Sequence, residues 1–418
     1  MIDTVVIGGG AAGIGAARAL HDAGGDVLLV EAQGRLGGRA RSVSIDLPAS
    51  AHSGRVTVDL GCGWLHSATR NPWTTIAETG GFHVDRSSPA WREQWRDLGF
   101  TADDQRAFGD AWERWEAGAR AALDGPDRPL SDFVAADDPW RSMLDAISGY
   151  ANGAGLADVS LHDWVAYEDA AGEANWAVRE GYGTLVAHRA AGVRHRLSTP
   201  VERIDHGGRT LRLTTSTGTI EAAHAIVCVP TPVLASGALA FDPPLPAKRD
   251  AAAVLPLGLA DKAFLAVDDP PWPAHAHLIG DPHRAATASH RLSPFGWPIV
   301  ESYFGGETAE ALEAGDAAAF AIDELVALLG SGWRRRLHPL ATTRWRREPW
   351  IGGSYSHALV GHSGARAVLA EPIDGRLFFA GEACSANDFT TAHGAYQTGV
   401  AAAHAILERR GRHATTGA

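Results

Sequence analysis

A glycine pattern near the start of the chain constrains the fold more than any other feature. Gly8, Gly10 and Gly13 form the spacing G-x-G-x-x-G between an apolar segment, residues 3–7, and an alanine-rich segment, residues 11–23. In a strand–turn–helix unit, the first glycine permits a tight turn and the second lets the backbone approach a pyrophosphate. The third glycine lets the helix pack closely on the strand. The pattern therefore predicts a strand at 3–7, a helix at 11–23 and a dinucleotide bound between them.

The residues that follow support this interpretation. Residues 26–31 are mostly apolar and end on an acid, Glu31, at about the 20-residue distance from the glycines that dinucleotide-binding units show. A carboxylate at this position accepts hydrogen bonds from ribose hydroxyls and repels the 2′-phosphate of NADP. The start of the helix, with Ala12, presents free N–H groups and the positive end of the helix dipole to the phosphates. Together these features favour a dinucleotide that lacks a 2′-phosphate.

Strand and helix patterns alternate at both ends of the chain, with helices between them. Residues 100–193 have a mostly helical pattern, and strands are predicted at 201–204, 210–215, 225–229 and 377–380, followed by a helix at 395–407. The predicted fold class is α/β, with a Rossmann-like nucleotide-binding domain built from separated segments and interleaved with a mixed α+β substrate-binding domain that contains a helical insert. The nucleotide-binding domain is expected at 1–75, 196–245 and 345–418, and the substrate-binding domain at 76–195 and 246–344.

The composition disfavours several partners and kinds of site. The 418 residues carry a formal net charge of −12, which disfavours nucleic acid and anionic membrane surfaces as partners. No apolar run is long enough to span a bilayer. A predicted strand from residue 2 leaves no room for a signal peptide. The polar end of the chain, residues 407–418, predicts no membrane anchor. Three widely spaced cysteines, Cys62, Cys228 and Cys384, predict a reduced, cytoplasmic protein with no disulfide framework and no metal site.

A second motif indicates the kind of dinucleotide. The segment from Glu31 to Ala40, EAQGRLGGRA, resembles the one that FAD-dependent amine oxidases carry directly after their acidic residue. Its glycines permit close approach of the backbone, and Arg39 can offer a fork of donors to the pyrophosphate. The resemblance to this family, which includes monoamine and polyamine oxidases, extends nearly from end to end and is weakest through residues 80–175. It is carried by segments 58–66, 181–185, 200–204, 241–246, 257–264, 353–356, 375–382 and 393–399, and by Trp345.

The resemblance implies that the nucleotide-binding domain holds FAD, and that no covalent bond tethers it. Ser354 stands where covalently flavinylated monoamine oxidases have a cysteine, and a hydroxyl is a poor nucleophile toward the flavin methyl group. The match at 393–399 implies a helix that begins beside the flavin, where its dipole favours the electron-rich reduced cofactor. The residues that match FAD-binding positions are Gly8, Gly10, Ala12, Gly13, Glu31, Ala32, Gly38, Arg39, Gly61, Cys62, Gly63, Trp64, Val201, Trp345, Gly381, Glu382, Thr391 and Ala392.

Four residues match positions around the reacting atoms. Lys262 resembles the lysine that holds a water against flavin N5, and it is one of only two lysines in the chain. Tyr355 matches one wall of the aromatic cage that aligns the amine. Thr391 stands where monoamine oxidases have the tyrosine of the opposite wall, so the site is expected to be closer to that of polyamine oxidases or histone demethylases. His66, in a Trp-x-His pairing with Trp64 similar to that of polyamine oxidases, either hydrogen-bonds the substrate or holds a neighbouring loop.

The resemblance further implies oxidation of a small-molecule amine. A hydride would pass from the α-carbon to flavin N5, and the imine would hydrolyse to a carbonyl compound and an amine or ammonia. Oxygen would reoxidise the flavin and give hydrogen peroxide. Three alternatives stay open: an L-amino-acid oxidase, a flavin-dependent desaturase of the carotenoid or protoporphyrinogen oxidase type, and a flavoprotein without catalytic activity. Lys262 and Tyr355 together argue against the desaturase. The sequence leaves open which amine reacts and whether the protein is a monomer or a homodimer.

Overall fold

The computed structural model describes residues 1–51 and 54–416. Its strands are β1 (Ile2–Ile7), β2 (Val27–Val30), β3 (Ser42–Asp46), β4 (Arg55–Asp59), β5 (Val84–Asp85), β6 (Ala177–Val178), β7 (His195–Arg196), β8 (Val201–Asp205), β9 (Leu211–Thr215), β10 (Gly218–Val227), β11 (Ala240–Asp242), β12 (Ala260–Val267), β13 (Ala276–Ile279), β14 (Ser289–Leu292), β15 (Ile299–Gly305), β16 (Leu337–Thr342) and β17 (Leu377–Phe379). Its α-helices are α1 (Ala11–Asp22), α2 (Pro72–Thr79), α3 (Ala102–Ala121), α4 (Arg141–Asn152), α5 (Leu161–Glu168), α6 (Tyr182–His188), α7 (Thr231–Ala235), α8 (Pro246–Ala253), α9 (Gly306–Ala314), α10 (Ala317–Leu329), α11 (Ala365–Ala370) and α12 (Ala392–Thr416). Residues 52, 53, 417 and 418, which belong to the predicted nucleotide-binding domain, lie outside the described residues.

The first sheet has eight strands and includes the strand that precedes the glycine turn. Its order is β11-β8-β9-β10-β1-β2-β7, with β17 also paired to β10. The central strand β1 runs parallel to both β2 and β10. Its residues alternate between two cores: Val6 packs with α1 and α12, whereas Val5 and Ile7 pack on the other face with residues of β8 and β9. Because both faces are covered, the strand is a continuous apolar run rather than an alternating one.

The second sheet has five strands and forms one wall of the central cavity. Its order is β13-β14-β15-β12-β16, and neighbouring strands are antiparallel. Leu265, Val300 and Phe304 belong to a large apolar core together with Ala321 and Leu325 of α10. The opposite face of β12, β14 and β15 carries polar side chains at alternate positions, because successive side chains of a strand point to opposite sides. This face borders the cavity.

Helices α3, α4 and α5 form another wall of the cavity. Trp115 of α3, Leu144 of α4 and Trp164 of α5 share one apolar core. Helix α3 begins with a capping box, in which the Thr101 hydroxyl accepts a hydrogen bond from the Asp104 N–H and the Asp104 carboxylate accepts one from the Thr101 N–H. These helices and α6 lie within the helical insert predicted at 100–193.

The α/β fold class predicted from the sequence is confirmed, and the predicted elements differ mainly at their ends. The first strand begins one residue before its predicted start, and the first helix ends one residue before its predicted end. The strand predicted at 225–229 is wrong in extent, because it is the end of the longer strand β10, whose first half pairs with β9 in a hairpin. The last helix begins at Ala392 rather than at residue 395.

The first sheet takes its strands from residues 2–30, 195–242 and 377–379. This arrangement supports a nucleotide-binding domain assembled from three separated segments, and the proposed boundaries of the two domains stay a prediction. Among residues 1–51 and 54–416, no helix is both long and apolar enough to cross a bilayer.

Candidate active site

A cavity of about 940 Å³ lies between the glycine turn, the start of α12, the second sheet and helices α3 to α5. Its volume is near the top of the roughly 300–1,000 Å³ range of small-molecule and cofactor sites. Of the site residues predicted from the sequence, Gly13 alone does not border the cavity. Those that do are Gly8, Gly10, Ala12, Glu31, Ala32, Gly38, Arg39, Gly61, Cys62, Gly63, Trp64, His66, Val201, Lys262, Trp345, Tyr355, Gly381, Glu382, Thr391 and Ala392.

The glycine turn has the geometry that its sequence predicts. Gly8 has a φ of +105°, a conformation that residues with a side chain rarely adopt. A Cβ atom on Gly13 would lie 1.8 Å from the Gly8 carbonyl oxygen, so only glycine lets α1 begin this close to β1. Gly10 is the N-cap residue of α1, and the first N–H groups of a helix have no partner within the helix. These groups lie at the cavity and can bind an anionic phosphate.

Glu31 is buried and holds the glycine turn in place. Its carboxylate accepts hydrogen bonds from the Gly9 N–H at 2.5 Å and from the Gln33 N–H at 2.7 Å. Burial raises the pKa of Glu31 above its usual value, although these two backbone donors act to lower it. The carboxylate therefore connects the end of β2 to the turn, a contact that the sequence analysis missed, and its remaining lone pairs border the cavity.

Arg39 and Glu382 form an ion pair at the middle of the cavity. The Arg39 Nη1 donates to Glu382 Oε1 at 2.9 Å and to the Ser354 carbonyl at 2.6 Å. Burial acts to raise the pKa of Glu382, but Arg39 and Arg366 outweigh burial and hold that pKa below its usual value. The predicted fork from Arg39 to a pyrophosphate must therefore use nitrogens other than Nη1.

Thr391 has a defined structural role at the start of α12. Its hydroxyl accepts a hydrogen bond from the Gly394 N–H at 3.0 Å and donates one to the Asp388 carbonyl at 2.6 Å. This is the hydrogen bonding of an N-cap residue. Because its only hydroxyl hydrogen is already donated, Thr391 can offer a substrate no O–H donor, and its place as a cage wall stays a prediction. The cap also explains why α12 begins before the predicted residue.

One face of the second sheet borders the cavity with five side chains, which we call the polar sheet face. Its members come from three neighbouring strands and are Lys262 on β12, Ser289 and Arg291 on β14, and Glu301 and Tyr303 on β15. Arg291 lies directly opposite Glu301, and Tyr303 directly opposite both Ser289 and Lys262. The sequence analysis predicted only Lys262 among them. The other four could have been noticed in the sequence, because the segments S-H-R and E-S-Y place polar residues within otherwise apolar strands.

Lys262 is buried and has two protein partners. Its Nζ lies 2.7 Å from Glu301 Oε1 and donates to the Asp59 carbonyl at 2.9 Å. Burial acts to raise the pKa of Glu301, but Lys262 and Arg291 outweigh burial and lower it. A lysine in a cleft, bonded only to solvent, would contribute little to stability. That expectation is wrong for Lys262, because its removal leaves a buried carboxylate without its nearest counter-ion.

Tyr355 belongs to a group of three tyrosines with Tyr150 and Tyr303. The Tyr355 hydroxyl donates to the Tyr150 carbonyl. The Tyr303 hydroxyl lies 2.7 Å from the Tyr355 oxygen and 3.2 Å from the same carbonyl, and its single hydrogen can go to either acceptor. Burial raises the pKa of Tyr303 and Tyr355, so both hydroxyls stay neutral. Tyr303 from the polar sheet face is thus a close neighbour of Tyr355 that sequence matching did not reveal.

His66 and Trp64 border the cavity from the loop after β4. The His66 Nδ1 lies 2.7 Å from the Asn175 side-chain oxygen, so Nδ1 carries the hydrogen and Nε2 is an acceptor. Burial lowers the pKa of His66 to about 4, which keeps the ring neutral. Trp64 packs edge-on against Trp91 and lies under the Arg291 guanidinium, 4.3 Å from the ring centre. The contact with Asn175 shows that His66 holds a neighbouring loop, and its contact with a substrate stays a prediction.

The remaining predicted residues shape the cavity wall. Trp345 is buried, and its indole N–H donates to the Leu60 carbonyl at 3.1 Å. The Ser354 hydroxyl donates to the Ala260 carbonyl at 2.8 Å and accepts from the Ala260 N–H at 2.9 Å. Burial raises the pKa of the Cys62 thiol to about 12, so this cysteine is a neutral wall residue rather than a nucleophile.

Comparison with known proteins agrees with this geometry. A family model described as flavin containing amine oxidoreductase matches residues 11–175 and 127–407. Polyamine oxidase 2 of Arabidopsis thaliana is 30% identical over 97% of this chain and 89% of its own length. The chain belongs to the flavin-containing amine oxidoreductase family. Lysine-specific histone demethylase 2 of Homo sapiens is 28% identical over 96% of this chain, which spans about half, 53%, of that protein.

The fold of this chain is also that of a solved structure. Cyclohexylamine oxidase from Brevibacterium oxydans IH-35A matches with a TM-score of 0.75 over 98% of this chain and 99% of its own, at 20% sequence identity. The two proteins therefore share one mixed α/β architecture, with a largely parallel sheet and helices around it.

The cofactor of this chain is FAD, as its family implies, and the cavity residues fit it. Glu31 supplies an acceptor for ribose hydroxyls at one end. The start of α1 and Arg39 supply donors for the phosphates, and the start of α12 brings a second helix N-terminus to the cavity. The polar sheet face and the tyrosine group border the same cavity, where they can meet both the flavin ring and a substrate.

Proposed function

We propose that this protein oxidises a small-molecule amine at the carbon next to its nitrogen. When bound, FAD supplies the acceptor for the hydride and then passes the electron pair to oxygen, so that the products are an imine and hydrogen peroxide. The observation that carries the proposal is the presence of Lys262 and Tyr355 in the same cavity as the glycine turn and Glu31. An amine oxidase needs this arrangement, whereas a desaturase needs neither the lysine nor the tyrosine.

The side chains around the cavity have separate roles in the proposed reaction. Tyr355 and Tyr303 offer neutral aromatic surfaces that orient the amine and stabilise positive charge as it develops on the nitrogen. Lys262 retains one N–H group beyond those that bind Glu301 and Asp59, and this donor assists the reaction with oxygen. Trp64 and Trp91 help to exclude water. His66 accepts a hydrogen bond through its Nε2.

We further propose that the amine is elongated and carries a second cationic group. The wall formed by α3 and α5 presents Glu113, Glu116 and Glu168 to the cavity, together with Phe108 and Trp112. Glu116 is paired with Arg120, which leaves Glu113 and Glu168 for a cation. Burial and the neighbouring Glu116 raise the pKa of Glu168, and a cation beside this carboxylate would lower it again. The proposal agrees with the names of two relatives, polyamine oxidase 2 of Arabidopsis thaliana and polyamine oxidase 4 of Oryza sativa subsp. japonica.

An L-amino-acid oxidase would need an arginine that is free to bind the substrate carboxylate. Arg39 is paired with Glu382, and Arg291 is bonded to His275 at 2.9 Å and lies 3.7 Å from Glu301. Two of the three arginines that border the cavity thus already have partners, and the third, Arg92, interacts with Glu168 on the helical wall. These partners favour an amine without a carboxylate.

An anaerobic screen tests the proposed function directly. The FAD-loaded protein would be mixed with a monoamine, a diamine, a polyamine and an L-amino acid, and bleaching of the flavin absorbance would be recorded. We expect the diamine or polyamine to reduce the flavin fastest. In Glu168→Gln, the ratio of this rate to the rate with the monoamine should fall at least tenfold. Absence of bleaching with every amine would exclude amine oxidation.

The rate of flavin reduction by a limiting amine should rise with pH. An alkyl ammonium with a pKa of about 10.4 has a neutral fraction that grows about tenfold per pH unit below that value. The reacting nitrogen needs a free lone pair, so we expect the second-order rate constant of reduction to increase steeply between about pH 6 and 9. His66 should add no step in this range, because burial keeps its pKa at about 4. A flat profile, measured by anaerobic stopped-flow, would exclude a neutral amine as the reacting form.

Oxygen as the electron acceptor and a cytoplasmic location are part of the same proposal. The cysteines at 62, 228 and 384 are free thiols, which agrees with a reducing compartment. Release of one hydrogen peroxide per amine consumed would support oxygen as the acceptor.

A further inference from the structure

The side chain of Lys262 is held by two acceptors from different parts of the fold. Its Nζ lies 2.7 Å from Glu301 Oε1 on β15 and 2.9 Å from the carbonyl of Asp59 at the end of β4. A lysine ammonium has three N–H donors and no acceptor. Two of these donors are used by Glu301 and Asp59, and the third remains for the cavity that Lys262 borders.

The strand register explains why Glu301 meets Lys262. In the antiparallel pair of β12 and β15, Lys262 lies opposite Tyr303 and Phe264 lies opposite Glu301. Lys262 and Glu301 are therefore diagonal neighbours on the same face, a distance that two long side chains can bridge. Arg291 lies directly opposite Glu301 on the other side, but its nearest nitrogen is 3.7 Å from the carboxylate. Lys262 is thus the closer of the two counter-ions.

Glu301 is a charged residue in a mostly buried strand, which is an unusual position for a carboxylate. It interrupts a buried apolar strand, and its side chain is only 14% exposed. A buried carboxylate is costly unless it is paired, so a residue of this kind persists in a strand where its charge has a use. The carboxylate borders the cavity, and the ammonium of Lys262 lies between it and Asp59.

We propose that Glu301 is a positioning residue for Lys262. Its carboxylate and the Asp59 carbonyl hold two of the three donors of the ammonium and so direct the third toward the cavity, where it assists the reaction of the reduced flavin with oxygen. The inference rests on the proposed function, in which Lys262 assists that step. Glu301 touches neither substrate nor oxygen in this account, and it acts only through the lysine.

The experiment compares wild type, Glu301→Gln, Lys262→Met and the double variant, all loaded with FAD. Glutamine keeps the length of the side chain but removes the charge that holds the ammonium. The flavin would be reduced anaerobically, without any amine, by a stoichiometric amount of dithionite, which supplies the two electrons. Its reoxidation after mixing with oxygen would be followed by stopped-flow. Glu324→Gln is the matched control, because the Glu324 carboxylate is equally buried, at 13% exposed, and does not border the cavity.

We expect Lys262→Met to slow reoxidation by roughly 100-fold and Glu301→Gln by roughly 10-fold, or about 1.4 kcal/mol. In the Lys262→Met background, Glu301→Gln should have no further effect on the rate, because residues that act through one another are not additive. Glu324→Gln should reoxidise like wild type.

Thermal unfolding of the same proteins without FAD provides a readout that does not depend on turnover. We expect Lys262→Met to lower the Tm, since it leaves the Glu301 carboxylate with only Arg291 nearby. Glu301→Gln should restore part of this loss in the double variant, although it lowers the Tm when Lys262 is present.

Three outcomes would overturn the inference, and they separate it from the proposed function. If Lys262→Met is slow and Glu301→Gln reoxidises like wild type, the positioning role is wrong while the role of Lys262 stands. If the two effects on the rate multiply in the double variant, Glu301 acts independently of the lysine. If Lys262→Met reoxidises like wild type, the assistance by Lys262 in the proposed function is wrong, and the role of Glu301 falls with it.

Discussion

At the scale of single residues, buried carboxylates hold the cavity wall together. Glu31 accepts hydrogen bonds from two backbone N–H groups, and Asp59 accepts them from the Ser42 hydroxyl and from the N–H groups of Tyr182 and Gly183. Each charge is satisfied by donors from a distant part of the chain, which is the condition for burying a carboxylate. These side chains therefore tie the loops around the cavity to the sheets.

Glu31→Arg should weaken FAD binding. The change removes the acceptor for ribose hydroxyls, frees the Gly9 N–H that the carboxylate now holds, and adds an unmatched charge. Loss of one charged hydrogen bond corresponds to about 1.5–3 kcal/mol, or roughly 10- to 150-fold in affinity. Titration of the apoprotein with FAD, followed by flavin fluorescence, measures the change. An unaltered dissociation constant would remove Glu31 from the FAD site.

Acid precipitation should release all of the FAD into solution. Ser354 occupies the position of the tethering cysteine, and its hydroxyl both donates to and accepts from the backbone of Ala260. A hydroxyl so engaged has neither the nucleophilicity nor the freedom to bond to the flavin ring. The absorbance of the supernatant at the flavin maximum gives the released fraction. Flavin that stays with the precipitated polypeptide would point to a tether elsewhere in the chain.

A buried polar network joins elements across the molecule. Arg366 of α11 forms a two-pronged ion pair with Asp163 of α5 and donates to the Ser356 hydroxyl at 2.9 Å. Ser356 in turn donates to Glu382, which binds Arg39 in the middle of the cavity. The helix that carries Glu168 is thus connected to the FAD site through fully bonded charged groups. Such a network is worth more than its separate contacts.

Arg366→Met should destabilise the protein more than loss of any exposed arginine. Both partners are only 3% exposed, so the change leaves a buried carboxylate without its counter-ion, at about 3–5 kcal/mol. Arg128→Met is the matched control, because its ion pair with Asp132 is exposed and should contribute less than about 1 kcal/mol. Chemical denaturation with excess FAD compares the two. Equal losses would mean that the buried pair contributes no more than a surface contact.

Lys248, the other lysine of the chain, connects two helices. Lys248 is buried, and its Nζ donates to the carbonyls of Val368, Leu369 and Glu371. These carbonyls lie at the C-terminal end of α11, where carbonyls have no helical partner and a cation is favourable. Lys248 is therefore a helix cap.

The whole molecule encloses its reacting groups between two sheets and a helical wall, and this burial affects its response to acid. Burial lowers the pKa of both His277 and His357 to about 4. The unfolded chain binds a proton at each histidine below about pH 6.5, whereas the folded protein does so only near pH 4. Their contribution to stability is therefore present above about pH 6.5 and is lost as the pH falls from there toward 4.

We expect the free energy of unfolding to fall by about 1–3 kcal/mol per buried histidine between about pH 6.5 and 4. His357→Gln should flatten this dependence, because glutamine does not titrate, and His357 lies outside the cavity lining. His162→Gln is a suitable control, since His162 is half-buried on the surface of α5. Denaturation curves of the FAD-loaded protein at several pH values measure the slope. A slope unchanged by His357→Gln would show that this ring is protonated in the folded protein.

The sequence by itself determined the first strand, turn and helix, the FAD-binding segments and the family. These features rest on local rules, because glycine spacing, the following acid and short motifs act over a few residues. The approximate place of Lys262, Tyr355 and His66 in one cavity was predictable only from the resemblance of their segments to the family.

Only the tertiary structure decided what surrounds these residues. Glu301, Arg291 and Tyr303 lie 29 to 41 residues after Lys262 in the chain and reach the site through the register of antiparallel strands. Register depends on the packing of whole sheets, and a shift by one residue would turn every one of these side chains to the opposite face. The burial of Lys262 and Lys248, and hence their partners, follows from that packing and cannot be inferred from the residues nearby.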